Sequence, residues 1–234
     1  MPAGDDASDL DRRIAEVELL QRRVLNVIPH ALRTPVTTLR GLAEAMTEAS
    51  EAEIRSSIGP ALRRVAAQVE HLLDDLLIAS GYRTALPTGA VQSTPVMETL
   101  RTVWSEVGGE GPFEVVGPED AAAMAPDGAL AKMLVHVLDN AAKYGVGAPR
   151  AEVTLAGGRV RIAVRSAGPV PADLDILVEP FFREESAVMR SSGLGLGLTV
   201  TDALARQSGG SLSVLEAEGG SGLVTCLDLQ AAPS

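Results

Sequence analysis

The sequence predicts an α + α/β chain, with an antiparallel helical hairpin that forms a dimeric four-helix bundle followed by an α/β sandwich domain. Three observations carry this expectation. Leu10, Ile14, Val17, Leu20, Val24, Ile28 and Leu32 recur at spacings of three and four, which places them on one face of a helix. Ile54, Ile58, Leu62, Val65, Val69, Leu72 and Leu76 repeat the pattern. Farther on the period shortens, and the partly alternating runs Ala151 to Ala156 and Arg159 to Arg165 flank Gly157-Gly158, a two-residue hairpin signal.

The first helix should extend for roughly 35 to 40 residues at about 1.5 Å per residue. The polar stretch Thr47 to Glu51 turns the chain into the second helix. One hairpin leaves half of each apolar stripe uncovered, so burial favours a homodimer. Pro35 and Pro60 fall inside helical patterns, where each removes a backbone donor and crowds the preceding turn, so local bends are expected. Pro29 should disturb the first helix further.

Residues 83–94 lose the helical period and contain proline and glycine, as a linker does. The domains are therefore expected at 1–82 and 95–234. In the second, Thr94-Pro95 looks like the cap of a helix over Val96 to Val107, Phe113 to Val116 a short strand, and Asp127 the cap of the helix carrying Asn140. Leu198 to Gln207 reads as helical. Leu212 to Leu215 and Leu223 to Leu229 read as a strand pair around Gly219-Gly220-Ser221-Gly222. Together these make helices on one face of a mixed sheet.

An apolar fraction of 46% is ample for a core, and no run of about 18 apolar residues exists. The N-terminus lacks the basic and apolar regions of a signal peptide, so the chain is expected to be soluble and cytoplasmic, either in its own right or as the cytoplasmic part of a larger protein. A net charge of −11 without a compensating basic block argues against nucleic acid and against membrane contact by this chain itself. The single cysteine, Cys226, excludes an internal disulfide framework and is expected to be an inert core thiol.

Three segments point to chemistry. His30 stands in Pro29-His30-Ala31-Leu32-Arg33-Thr34-Pro35, midway along the first apolar series. Asn140-Ala141-Ala142-Lys143-Tyr144 follows about 110 residues later. Gly193-Leu194-Gly195-Leu196-Gly197-Leu198 opens a helix, where glycines permit close backbone approach and free N–H groups favour an anion. In this order the segments resemble the catalytic core of the two-component sensor histidine kinases, over nearly the whole chain. The resembled parts are a histidine phosphotransfer hairpin at 1–82 and an ATP-binding domain at 95–234.

The resemblance implies autophosphorylation of His30 by Mg·ATP and transfer of the phosphoryl group to an aspartate of a response-regulator receiver domain. The helices beside His30 would form the regulator-docking face. It makes Thr34 the hydroxyl that aligns water in the reverse, phosphatase direction. Asn140 corresponds to the Mg²⁺-coordinating amide, with Lys143 at phosphate and Tyr144 near the base. His136 stands where the family usually has asparagine. Gly193, Gly195, Leu196 and Gly197 form the phosphate-facing glycine box. Glu179-Pro180-Phe181-Phe182-Arg183 resembles the segment before the ATP lid, with the lid at Glu184 to Ser192 and Arg183 and Arg190 as candidates for steadying the γ-phosphate.

Two departures fall on acids. Ala31 occupies the position of the residue that orients the imidazole and accepts its proton. Val164-Arg165-Ser166-Ala167-Gly168-Pro169 aligns with the first glycine box and puts Ser166, ahead of Gly168, where a carboxylate accepts the adenine amino group. A hydrogen bond to a charged group contributes about 1.5 to 3 kcal/mol, so the change should weaken ATP binding by roughly 10- to 150-fold. The alternative reading is a degenerate homologue with weak or no ATP use, acting as a docking or phosphorelay dimer. Asn140 and the glycine box weigh against it. Related chaperone and mismatch-repair ATPases lack a histidine-bearing hairpin. His71, on the second helix without a motif, is expected to be structural or solvent-facing.

Overall fold

A computed structural model describes residues 28–29, 31–80, 89–107, 113–182 and 194–233. The chain divides into two compact units, one up to Leu76 together with Ser192–Leu194 and the other formed by Leu77–Ser191 and Gly195–Ser234. His30 and the apolar positions from Leu10 to Val24 lie outside the described residues.

In the first unit, helix α1 covers 31–46 and runs on through Pro35, with Leu32, Leu39 and Leu42 half-buried. Thr34 is exposed, and its carbonyl accepts a hydrogen bond from the Thr38 hydroxyl at 3.1 Å. After the turn, Ser50 starts the next helical stretch through a reciprocal cap. Its Oγ accepts from the Glu53 backbone N–H at 3.3 Å, while the Glu53 carboxylate accepts from the Ser50 N–H at 2.9 Å. The bonds from the Ser50 side chain and backbone hold the Glu53 carboxyl below its ordinary pKa. A depressed carboxyl pKa stabilises the fold above the unfolded-state value, so this contribution is lost as pH falls through the folded-state value. Ser50→Ala is expected to cost the helix start roughly 1 kcal/mol, read as a lower thermal midpoint.

The expected disturbance at Pro60 takes the form of a π-helical turn, Ile54–Ile58, in which the Gly59 N–H reaches back to the Ile54 carbonyl. Pro60 has no N–H to offer the helix, and a widened turn just before it relieves the clash of its ring. Helix α2 then runs over Gly59–Ala79. Val36, Met46, Leu62 and Leu73 stay 37 to 57% exposed, so the apolar faces of this unit remain partly open to solvent. His71 faces solvent as expected.

The second unit contains a two-stranded ladder, β1 (Val91–Pro95) antiparallel to β3 (Ala122–Pro126), and a five-stranded sheet. That sheet has the order β2 (Glu114–Val116), β4 (Arg150–Ala156), β5 (Arg159–Ala167), β7 (Gly222–Gln230), β6 (Ser211–Glu216). β2 and β4 pair in parallel and the other neighbours antiparallel, so the sheet is mixed. Gly157 and Gly158 have φ of 57° and 73°, the double left-handed conformation that a two-residue hairpin needs. Val153, Val160, Ile162, Val164, Leu227 and Leu229 face one side of the sheet and are buried. Helices α3 (Val96–Glu106), α4 (Ala129–Tyr144) and α5 (Gly197–Gln207) supply Leu100, Leu134, Leu138 and Leu204 to the same core. The Phe113 ring stacks on Trp104 at 5.0 Å, tying the approach to β2 onto α3.

Three local expectations are corrected. Thr94 lies in β1, inside the stretch expected to be linker, and Pro95 precedes α3 without a side-chain cap. Gly128, with φ of 71°, occupies the cap position of α4 instead of Asp127. The Asp127 carboxylate accepts from Gln92 Nε2 at 2.7 Å, a bond that sequence separation concealed. Cys226 alternates with the buried Leu227 and is half-buried, not a core thiol. Partial burial raises its pKa, which keeps it a protonated, weakly reactive thiol at neutral pH.

Candidate nucleotide site

Helix α4 is held by Leu130, Met133, Leu134, Val137 and Leu138, all buried, and this anchoring fixes which way its last turn faces. Asn140, Ala141, Lys143 and Tyr144 from that turn line a cleft of about 320 Å³. Lys143 is paired with Asp139 one turn back, Nζ to Oδ2 at 2.6 Å, and both remain about one-third exposed. Tyr144 is 42% exposed.

The chain leaves α4 at Gly145 and passes close to the end of β5, where the Val146 N–H donates to the Ala167 carbonyl at 2.7 Å. This approach needs glycine on both sides. A Cβ at Gly145 would lie 2.3 Å from the Ala141 carbonyl oxygen of its own helix and 3.3 Å from the Ser166 Cβ on β5, and one at Gly168, whose φ is 150°, would lie 3.1 Å from the Tyr144 carbonyl oxygen. The cleft wall is therefore tightly packed where the end of α4 meets the end of β5. Ser166 and Gly168 line it, together with Val164 from the same strand.

The opposite boundary comes from the start of α5. Gly195 has φ of 70° and its carbonyl accepts from the Phe181 N–H at 2.9 Å. Phe181 itself has φ of 63° and is buried, whereas Phe182 lines the cleft. The Thr199 hydroxyl donates to the Val178 carbonyl at 2.8 Å, fixing the first turn of α5 to the preceding segment. Gly195, Gly197 and Leu198 face the cleft, and no side chain caps the helix N-terminus. First-turn N–H groups and the helix dipole there favour an anion.

Seven residues singled out in the sequence thus come together: Asn140, Lys143, Tyr144, Ser166, Gly168, Gly195 and Gly197. Leu196 is buried and His136 is not among the lining residues. His136 shares the helix face of Asn140, but Gly197 packs directly over it, and a Cβ there would lie 3.3 Å from His136 Nδ1. The absence of a side chain at Gly197 lets α5 cross α4 at this point. Arg183, Arg190 and Gly193 lie outside the described residues. Thr225, Val137, Val146, Leu177 and Val214 also line the cleft, although sequence reasoning passed over them. Thr225 carried a signal, as a polar residue in phase with the apolar Leu223, Leu227 and Leu229 of its strand; the others carried none.

Comparison with known proteins places two families on this chain. Residues 20–80 match the His Kinase A (phospho-acceptor) domain, and residues 127–231 match the histidine kinase-, DNA gyrase B- and HSP90-like ATPases. The chain is similar to sensor protein KdpD of Mycobacterium tuberculosis, 31% identical over 93% of this chain and 27% of that protein. It is also 30% identical to sensor protein CutS of Streptomyces coelicolor, over 94% of this chain and 55% of that protein. It therefore spans between about a quarter and about half the length of these curated relatives. Among solved structures, full-length ShkA in complex with AMPPNP aligns over 90% of this chain and 46% of that one, with a TM-score of 0.60 and 25% identity. The histidine kinase AdeS of Acinetobacter baumannii aligns over 87% of this chain and 98% of that one, with a TM-score of 0.56 and 18% identity, a likeness of fold.

Proposed function

We propose, from the premise that this chain belongs to the two-component sensor histidine kinases as their catalytic core, that it phosphorylates its own His30 from Mg·ATP and passes the phosphoryl group to a response-regulator aspartate. The observation that carries the proposal is the cleft, which joins an apolar slot to Asn140 and to the uncapped start of α5. A purine ring suits the slot, and phosphates suit the helix N-terminus. Retention of the glycines that build this wall supports ATP use over a docking-only or phosphorelay dimer.

In the phosphoryl step a neutral imidazole nitrogen of His30 attacks the γ-phosphorus with its lone pair. The bond to the β–γ bridging oxygen breaks, and ADP leaves. The ring's remaining N–H proton goes to water, because Ala31 has no group to receive it. Thr34 is assigned to water alignment in the reverse direction, and Arg183 and Arg190 to the γ-phosphate. Gly193 and Leu196 complete the glycine box, while His136 supports it from beneath Gly197. The hairpin domain is assigned to 1–82 and the ATP-binding domain to 95–234, together with the rest of the β1 strand that pairs with β3.

The Asn140 amide oxygen is a hard ligand suited to Mg²⁺, which would neutralise charge on the phosphates. Among the described residues no group of three or more His, Cys, Asp or Glu could hold a metal alone. Asn140→Ala is expected to weaken Mg²⁺-dependent ATP binding at least about tenfold, or about 1.4 kcal/mol, with little change in Mg²⁺-free binding. Titration calorimetry with and without EDTA measures both.

The partly exposed apolar faces of α1 and α2 support a homodimer in which a second hairpin covers them. No helix among the described residues is long and apolar enough to cross a membrane. The chain is assigned as the cytoplasmic part of a larger sensor, of which it would span the kinase core. The direct test is incubation with Mg²⁺ and γ-labelled ATP. Acid-labile, base-stable label on the protein is expected, and protein that binds ATP yet acquires no label would overturn the kinase assignment.

A further inference from the structure

We propose that the cleft reads its purine base through the hydroxyl groups of Ser166 and Thr225, and therefore accepts guanine as well as adenine nucleotides. The proposal rests on the cleft being the nucleotide site.

The polar side chains that line the cleft fall into two groups among the described residues. Asn140, Lys143 and Tyr144 come from the last turn of α4, where an amide oxygen and a cation suit metal and phosphate. Ser166 and Thr225 come from the sheet. Ser166 pairs with Leu223 and Val164 with Thr225, so the two hydroxyl-bearing residues sit on adjacent antiparallel strands, offset by two positions. Such diagonal neighbours share one face of the sheet, about 7–8 Å apart. Both are half-buried, and apolar residues surround them. Among the described side chains, these two hydroxyls are the hydrogen-bonding groups that the sheet offers a base entering the slot.

No Asp or Glu lines the cleft among the described residues. At Ser166 the cleft presents a hydroxyl to the base, and that sets the chemistry of selection at this position. A carboxylate only accepts hydrogen bonds, so it rewards the 6-amino group of adenine and repels the lone pairs of the 6-keto oxygen of guanine. A hydroxyl donates one hydrogen bond and accepts others, and its hydrogen rotates to suit the partner. Ser166 can thus accept from the 6-amino group of adenine or donate to the 6-keto oxygen of guanine, so the 6-position finds a partner in either complex. Strong rejection of a near-isostere requires that a polar group be left unpaired, and a hydroxyl escapes that penalty.

Titration calorimetry of the full chain with ATP and with GTP, each with Mg²⁺, tests the proposal, alongside Ser166→Asp checked for an unchanged circular dichroism spectrum. The wild-type dissociation constants are expected to lie within about tenfold of each other, and Ser166→Asp to shift the ratio at least about tenfold toward ATP. ATP binding with GTP more than about 100-fold weaker would overturn the proposal while leaving the nucleotide site in place. So would a folded Ser166→Asp variant with an unaltered ratio, since Ser166 would then not face the base. Failure of both nucleotides to bind would remove the nucleotide site itself and the proposal with it.

Discussion

His30→Gln is expected to eliminate acid-labile phosphoryl labelling, by at least about 100-fold, while ATP affinity stays within about twofold of wild type. A glutamine amide has no basic lone pair comparable to that of imidazole, so the attack on phosphorus is lost and not merely slowed. Nucleotide affinity should be untouched, because the described cleft is built from residues 137–225. The separation of the two readouts gives the prediction its force. A variant that loses both has misfolded, whereas one that keeps its label has its phosphoacceptor elsewhere. The assay pairs filter-bound label after acid and base treatment with calorimetry on the same preparation.

Gly222→Ala should cost about 2–6 kcal/mol and lower the thermal midpoint by roughly 5–20 °C. Gly222 has φ of 143°, and a Cβ there would lie 2.3 Å from the Ser166 carbonyl oxygen and 2.9 Å from the Ala167 Cα. All of these obstacles are backbone, so no side-chain rotation relieves them. The strand must shift, and with it the pairing of Ala167 with Gly222 and of Ser166 with Leu223 at the floor of the cleft. ATP binding should fall together with stability, unlike in the Ser166 variant. A midpoint within about 2 °C of wild type in a circular dichroism melt would contradict this account.

Some features were legible because local physics suffices for them. The spacing of Ile54, Ile58, Leu62, Val65 and Val69 demands a helix with one apolar side whatever its partner. Gly157-Gly158 demands a tight hairpin because two consecutive left-handed residues are cheap only for glycine. Asn140, Lys143 and the glycine box were likewise readable as residue types at helix ends. Strands β1 and β3 were not. Val91-Gln92-Ser93-Thr94-Pro95 is mostly polar and Ala122-Ala123-Met124-Ala125-Pro126 mostly small, so neither shows strand periodicity alone; each is extended in a ladder with a partner about 30 residues away.

By itself, then, the sequence determined the helices, the hairpin, the order of the motifs and the family they resemble, since backbone preference and side-chain period act over a few residues. Only the tertiary structure decided that Gly197 sits over His136, that Asp127 bonds Gln92 instead of capping α4, and that Thr225 joins Ser166 on one face of the sheet. Those outcomes depend on strand register and helix crossing. Both are set by packing between segments far apart in the chain, where a shift of one residue would turn a cleft-facing side chain toward solvent.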